Sequence, residues 1–182
     1  MLGGAYALLG IGVLLAAILI VIFYSRLLFH KLPDAALVPT MWIVVGPLGQ
    51  SVAGFVALGL ASGSVFPAYG HDLLVIGLAY GMLVWGFGCY WLAMALVTTM
   101  HTARIGLPFS LGWWAFTFPV GTLTSGSFGL ATVTGAPLFA VVGMALLLLL
   151  FSMWMLVASQ TTPELLRAAD RNASPEPLPI VV

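Results

Sequence analysis

Polar residues are so sparse along this chain that its pattern is set by where they interrupt the apolar runs. Five such runs extend approximately from Ala5 to Tyr24, Val38 to Leu60, Leu73 to Thr99, Leu111 to Thr132 and Leu138 to Ala158. Each reaches the length of about 20 residues needed to cross the hydrocarbon of a bilayer. A backbone in lipid must satisfy its own hydrogen bonds, so each run is predicted to be a helix. The interruptions carry turn chemistry: "HKLPDAALVP" after the first, "ASGSVFPAYGHD" after the second, "TARIGLPFS" after the third and "VTGAP" after the fourth. Pro39 suits the first turn of the second helix, and Ser110 suits the N-cap of the fourth. The pattern predicts an all-α polytopic membrane protein with a transmembrane domain over residues 1–160. Residues 161–182 then read as a tail: Thr162 as N-cap and Pro163 at the first position of a short surface helix, followed by a disordered end, "RNASPEPLPIVV".

Composition fixes the solvent. Hydrophobic residues make up 62% of the chain and charged residues 5%, against roughly 25% charged in an ordinary soluble domain. Too few polar side chains exist to cover a globule in water. The formal net charge is zero with no basic run, which argues against a nucleic-acid partner. One cysteine, Cys89, excludes an internal disulfide and a cysteine-built metal site. The basic residues then give the orientation. Arg26 and Lys31 follow the first span, Arg104 the third, and Arg167 and Arg171 the fifth, so all five lie on one side. The positive-inside rule makes that side cytoplasmic, with the C-terminus inside and the protein multi-pass in the plasma (inner) membrane. The start "MLGGAYALLG" lacks a charged flank and is not a signal peptide. An odd number of spans with an unflanked external start leads us to expect further helices upstream.

A second pattern repeats within the spans. Shifting the sequence by 72 residues lays the second span on the fourth: Trp42 on Trp114, Pro47 on Pro119, Gly49 on Gly121, Gly54 on Gly126, Leu58 on Leu130 and Gly63 on Gly135. The repeat unit is a helical hairpin used twice in the same orientation, internal symmetry being common in transport proteins. Pro47 and Pro119, each with a glycine two residues on (Gly49 and Gly121), are expected to kink their helices in mid-span. With Phe118 turned to an axis, Ala115, Thr122 and Ser125 share its stripe at helical spacing. The matching stripe on the second span is Ile43, Gly46, Gln50 and Ala53. Small uncharged residues around one large ring fit a narrow neutral pore with a phenylalanine obstruction. They also fit helix–helix packing, which small residues favour. "GLAYG", Gly77 to Gly81, reads as packing, and Trp113 and Trp114 read equally well as an interfacial aromatic belt. Gln50 is the one amide side chain inside a span.

The segment "GWWAFTFPVGT" resembles the ninth helix of the tellurite-resistance/dicarboxylate transporter family, which includes plant slow anion channels, fungal malate permeases and fungal sulfite pumps. "RLLFHKLPDAALVPTMWIVVGPLG" is similar to that family's connection from the sixth helix to the seventh. The resemblance covers residues 1 to about 160 and only the second half of the family plan. It implies helices six to ten of a ten-helix pseudo-fivefold bundle of hairpins, trimeric in the intact protein, with a pore phenylalanine acting as a gate. Phe118 is the matching residue and Phe116 the competing one, since sequence alone leaves the helix phase open.

No Lys, Arg, Asp or Glu falls inside a span, which argues against an ion-coupled relay. Selectivity would then rest on pore width and weak polar groups such as Thr122 and Ser125. A C4-dicarboxylate, sulfite or an inorganic anion all fit. We expect no enzyme activity, catalytic residue, metal or cofactor. The rival reading is a membrane anchor or cofactor-binding subunit of a larger complex, or a non-transporting assembly subunit. His30, His71 and His101 sit at span ends and do not supply the mid-bundle axial ligands that haem needs.

Overall fold

A computed structural model describes residues 1–30 and 33–173, with side chains up to residue 163. Of the expected disordered end, residues 171–173 close the last helix and residues 174–182 lie outside the described residues. Five α-helices run α1 Leu2–Phe29, α2 Val45–Val65, α3 Gly70–Ile105, α4 Phe118–Thr134 and α5 Pro137–Ala173, with no strand among the described residues. The chain is all-α, as the apolar runs predict.

Two of the expected spans are composite. α2 is preceded without a break by a 3₁₀ segment, Ala35–Val44, and α4 by a shorter one, Leu111–Phe116. Ten residues of 3₁₀ is unusual, since runs beyond three or four residues are uncommon. Pro39 lies inside the first segment and, lacking an N–H, cannot join an i→i−4 ladder there. Pro47 and Pro119 do not kink a continuous α-helix. Each sits in the first turn of its α-helical part, immediately after the 3₁₀ segment, where a missing N–H leaves no bond unmade. The repeat thus has a structural counterpart: a tryptophan-bearing 3₁₀ lead, then a proline opening an α-helix.

Four stretches are long and apolar enough to cross a membrane: Leu2–Phe29, Ala35–Val65, Gly70–Ile105 and Pro137–Pro163. α4 alone has 17 residues, about 25 Å of helix, and its 3₁₀ lead extends it. Ser110 precedes that lead but caps it without its side chain; only its carbonyl takes part, accepting from Trp113 N–H at 3.0 Å. At the other end, α5 continues through Pro163, and the Thr162 hydroxyl bonds back to the Ala158 carbonyl at 3.0 Å. A separate surface helix capped by Thr162 is therefore not formed.

α2 and α4 pack against each other at the centre, α3 covers α2, α5 covers α4, and α1 lies along α2. The α2–α4 seam is parallel and close. A Cβ placed on Gly46 would meet the Phe118 ring, one on Gly49 the backbone of Thr122 and Leu123, and one on Gly126 or Gly129 the side chains of Val52 and Val56. Gly77 of α3 likewise backs onto the Phe55 carbonyl, and Gly81 onto Val52, Val56 and Leu130, so "GLAYG" is a packing face.

The core sits at the 3₁₀ end of the seam. Trp42, Met41, Trp91, Val120, Leu123 and Phe116 are buried there together. The 3₁₀ geometry matters for it. The Val45 N–H bonds Trp42 and Ile43 rather than Met41, and the Met41 carbonyl accepts from Trp91 Nε1 at 2.9 Å. Trp42 Nε1 donates to Thr99 Oγ1 at 2.9 Å. Trp114, which matches Trp42 in the repeat, is exposed instead.

Candidate functional site

The 3₁₀ lead decides which phenylalanine faces outward. Phe116 ends the lead, is 2% exposed and packs edge-on against Trp42 with centroids 4.9 Å apart. Phe118 opens α4 two residues later and is 69% exposed. Two residues of chain rotation across the 3₁₀–α junction separate a core ring from a free one. The Phe118 ring lies over Gly46, its Cε1 3.5 Å from where a Cβ on that glycine would stand.

The exposed face of the α2–α4 pair carries Ile43 and Gln50 from the first span and Phe118 and Ser125 from the second. Gly46 and Thr122 are buried just beneath it, while Ala53 and Ala115 are half-buried. Gly49 is buried in the seam and Gly121 is half-buried. The two expected stripes thus meet along one seam, though only part of each reaches the surface.

A cavity of about 450 Å³ opens on this face, lined by Gln50, Thr117, Phe118, Gly121, Thr122, Ser125 and Leu150. Of the expected stripe residues, Gln50, Phe118, Thr122 and Ser125 line it, while Ile43, Gly46, Ala53 and Ala115 do not. Thr117 and Leu150 were not expected. Thr117 is recruited because the lead ends there, and Leu150 comes from α5 with nothing in its apolar surroundings to mark it. A second, larger groove of about 890 Å³ runs between α1 and the first composite span. It is bordered by Arg26, Leu37 and Thr40 toward one end and by Ile43, Pro47 and Gln50 further along.

The cavity's hydroxyls are turned inward. Thr122 Oγ1 donates to the Pro119 carbonyl at 2.8 Å and shares that proton with the Gly46 carbonyl across the seam at 3.1 Å. Thr117 Oγ1 donates to the Trp114 carbonyl at 2.8 Å, and Ser125 Oγ to the Gly121 carbonyl at 3.1 Å. No charged side chain among the described residues lines the cavity. Among the described residues no three His, Cys, Asp or Glu side chains converge as a metal site would require. The described lining thus offers a solute shape and weak dipoles but no fixed charge.

Comparison with known proteins places this geometry in context. Residues 1–162 match the model of a family described as voltage-dependent anion channels. The chain is 35% identical over 163 residues to a sulfite efflux pump of Trichophyton rubrum, an alignment covering 86% of this chain and 43% of that protein. A sulfite efflux pump of Arthroderma benhamiae aligns over the same shares at 34% identity. A transporter of Methanocaldococcus jannaschii is 33% identical over 148 residues, covering 80% of this chain and 40% of its own length. The chain therefore spans less than half the length of these relatives. No solved structure matches.

Proposed function

The chain belongs to the voltage-dependent anion channel family, a family of anion channels and transporters rather than enzymes, and we propose that it builds part of a membrane passage for small anions. The observation that carries this reading is the position of Phe118: a large ring left exposed beside Pro119, over Gly46, on the face shared by Gln50 and Ser125. On this reading Phe118 obstructs the passage. Ile43, Gly46, Gln50, Ala53, Ala115, Thr122 and Ser125 form its wall, and the junctions at Pro47–Gly49 and Pro119–Gly121 set the path of the two wall helices.

The relatives named for sulfite efflux make sulfite the first anion to try, with C4-dicarboxylates and inorganic anions beside it. The absence of a charge among the described lining residues supports weak, transient binding over coupled capture. Assembly as a trimer, residence in the plasma membrane and a cytoplasmic C-terminus complete the proposal, the last supported by the one-sided basic residues Arg26, Lys31, Arg104, Arg167 and Arg171.

Anion flux through proteoliposomes carrying the intact protein tests it, with Phe118→Ala alongside. An obstruction predicts a larger leak in the variant. Unchanged flux from a folded Phe118→Ala protein would remove the gating role, and absence of anion flux from the wild type would remove the transport role.

A further inference from the structure

We infer that Gln50 is the solute-recognising residue of the cavity beside Phe118, and that the solute it selects is a singly protonated oxyanion. This rests on the transport reading above and adds a residue and a ligand class to it.

Donor protons are unevenly distributed over the cavity wall. A hydroxyl has one proton to donate and two lone pairs to accept with. Thr117, Thr122 and Ser125 each direct that proton to a backbone carbonyl, so what they present to the cavity is lone pairs. Phe118, Gly121 and Leu150 add no side-chain donor. Gln50 is different: its amide carries two N–H donors and a carbonyl, it is exposed, and it makes no side-chain hydrogen bond with the described residues. It also borders the larger groove, whose far end holds Arg26, so Gln50 lines both spaces.

An anion needs donors, and among the described lining side chains one amide supplies them. Every other polar atom that a side chain offers is an acceptor, which repels a bare anion but welcomes an O–H. A singly protonated oxyanion matches both: its charged oxygen accepts from the Gln50 amide, and its own hydroxyl donates to Thr122, Ser125 or the Gln50 carbonyl. A dianion fits poorly, because desolvation cost grows with the square of the charge and no cation among the described residues lines the cavity to offset it. A halide or nitrate can use the amide alone. None of the residues that line the cavity is titratable, and Arg26 borders only the neighbouring groove, so the pH response is assigned to the solute.

The test uses the intact protein in liposomes, with sulfite, whose second ionisation lies near neutral pH, and nitrate, which carries no proton there. Flux through protein-free vesicles is subtracted. At fixed total sulfite the flux should fall as pH rises, in step with the hydrogensulfite fraction, while nitrate flux stays flat. Gln50→Leu should raise the half-saturating sulfite concentration roughly tenfold, the loss of one hydrogen bond to a charged group. Gln50→Glu, of the same size, should abolish sulfite flux by placing a carboxylate where the donor stood. Sulfite flux that rises with pH, or both Gln50 variants saturating like the wild type, overturns the inference and leaves transport standing. No flux of either anion from the wild type overturns the transport reading and this inference with it.

Discussion

Gly49→Ala is the most demanding single perturbation of this fold. An added Cβ would stand 2.5 Å from the Thr122 carbonyl carbon and 2.7 Å from the Leu123 Cα, where carbon contacts normally settle near 3.5 to 4.0 Å. The neighbours are backbone atoms of α4, which no rotamer change can move aside, so the two helices must part by about 1 Å. Overpacking of this kind costs about 1–3 kcal/mol. Parting the seam also lengthens the 3.1 Å bond from Thr122 Oγ1 to the Gly46 carbonyl, a further loss of about 1 kcal/mol. Alanine recovers at most about 1 kcal/mol through its higher helix propensity. The net expectation is a destabilisation of about 1–3 kcal/mol. Unfolding of the purified protein in mixed micelles of rising SDS fraction, followed by tryptophan fluorescence, reads this directly. Gly86→Ala is the internal reference: Gly86 is exposed on α3 with open space where a Cβ would go, and it should be neutral or slightly stabilising. If Gly49→Ala unfolds at the same SDS fraction as the wild type, or no earlier than Gly86→Ala, the α2–α4 seam is not packed backbone to backbone as described.

Other substitutions separate core from site. Phe116→Ala should cost about 3–5 kcal/mol in the same assay, the usual loss for a buried aromatic ring, without the leak expected of Phe118→Ala. Trp91→Phe keeps the ring but leaves the Met41 carbonyl without its 2.9 Å donor; an unfolding shift of about 1–3 kcal/mol should follow. Thr122→Val removes the cross-seam hydrogen bond and should cost about 1 kcal/mol, whereas Thr122→Ser restores the hydroxyl and should recover most of it. Equal stability of the valine and serine variants would show that the bond to Gly46 contributes nothing.

Much of this architecture was legible because lipid leaves the chain few choices. Uninterrupted apolar runs must be helices, so the five elements and their joints follow from the positions of polar and turn residues. The Trp–Pro–Gly repeat was legible for a different reason: those residue types are conspicuous, and two copies in one register stand out even in an apolar sequence. The 3₁₀ leads were not legible, because Ala35–Val44 and Leu111–Phe116 show the same apolar content that an α-helix would. The choice between Phe116 and Phe118 was lost with them, since it depends on how far the chain has rotated when α4 begins. Thr162 and Pro163 misled because they carry the chemistry of a helix start, yet α5 simply runs past them. The inward hydroxyls of Thr122 and Ser125 were likewise invisible, as a sequence shows that a proton exists and not which carbonyl receives it.

The two composite spans lie side by side in parallel, matched positions nearly level: Gly46 beside Phe118, Gly49 beside Leu123, Val52 beside Gly126, Val56 beside Gly129. Neighbours related in this way meet head to tail, the leading face of one unit against the trailing face of the next, and not through a shared two-fold surface. Residues that occupy the same place in the repeat are therefore sent to different surroundings. Trp42 is sealed in the core while Trp114 is exposed, and Gly49 touches backbone while Gly121 meets only the tip of Leu150. A head-to-tail pair is also a step that can be taken again, since each unit still owns one face of each kind. Whether such stepping winds into a ring or an open screw depends only on the rotation per step. On the proposed reading, that single angle would fix how many wall helices surround the ring of Phe118, and so how wide an opening the ring would have to block.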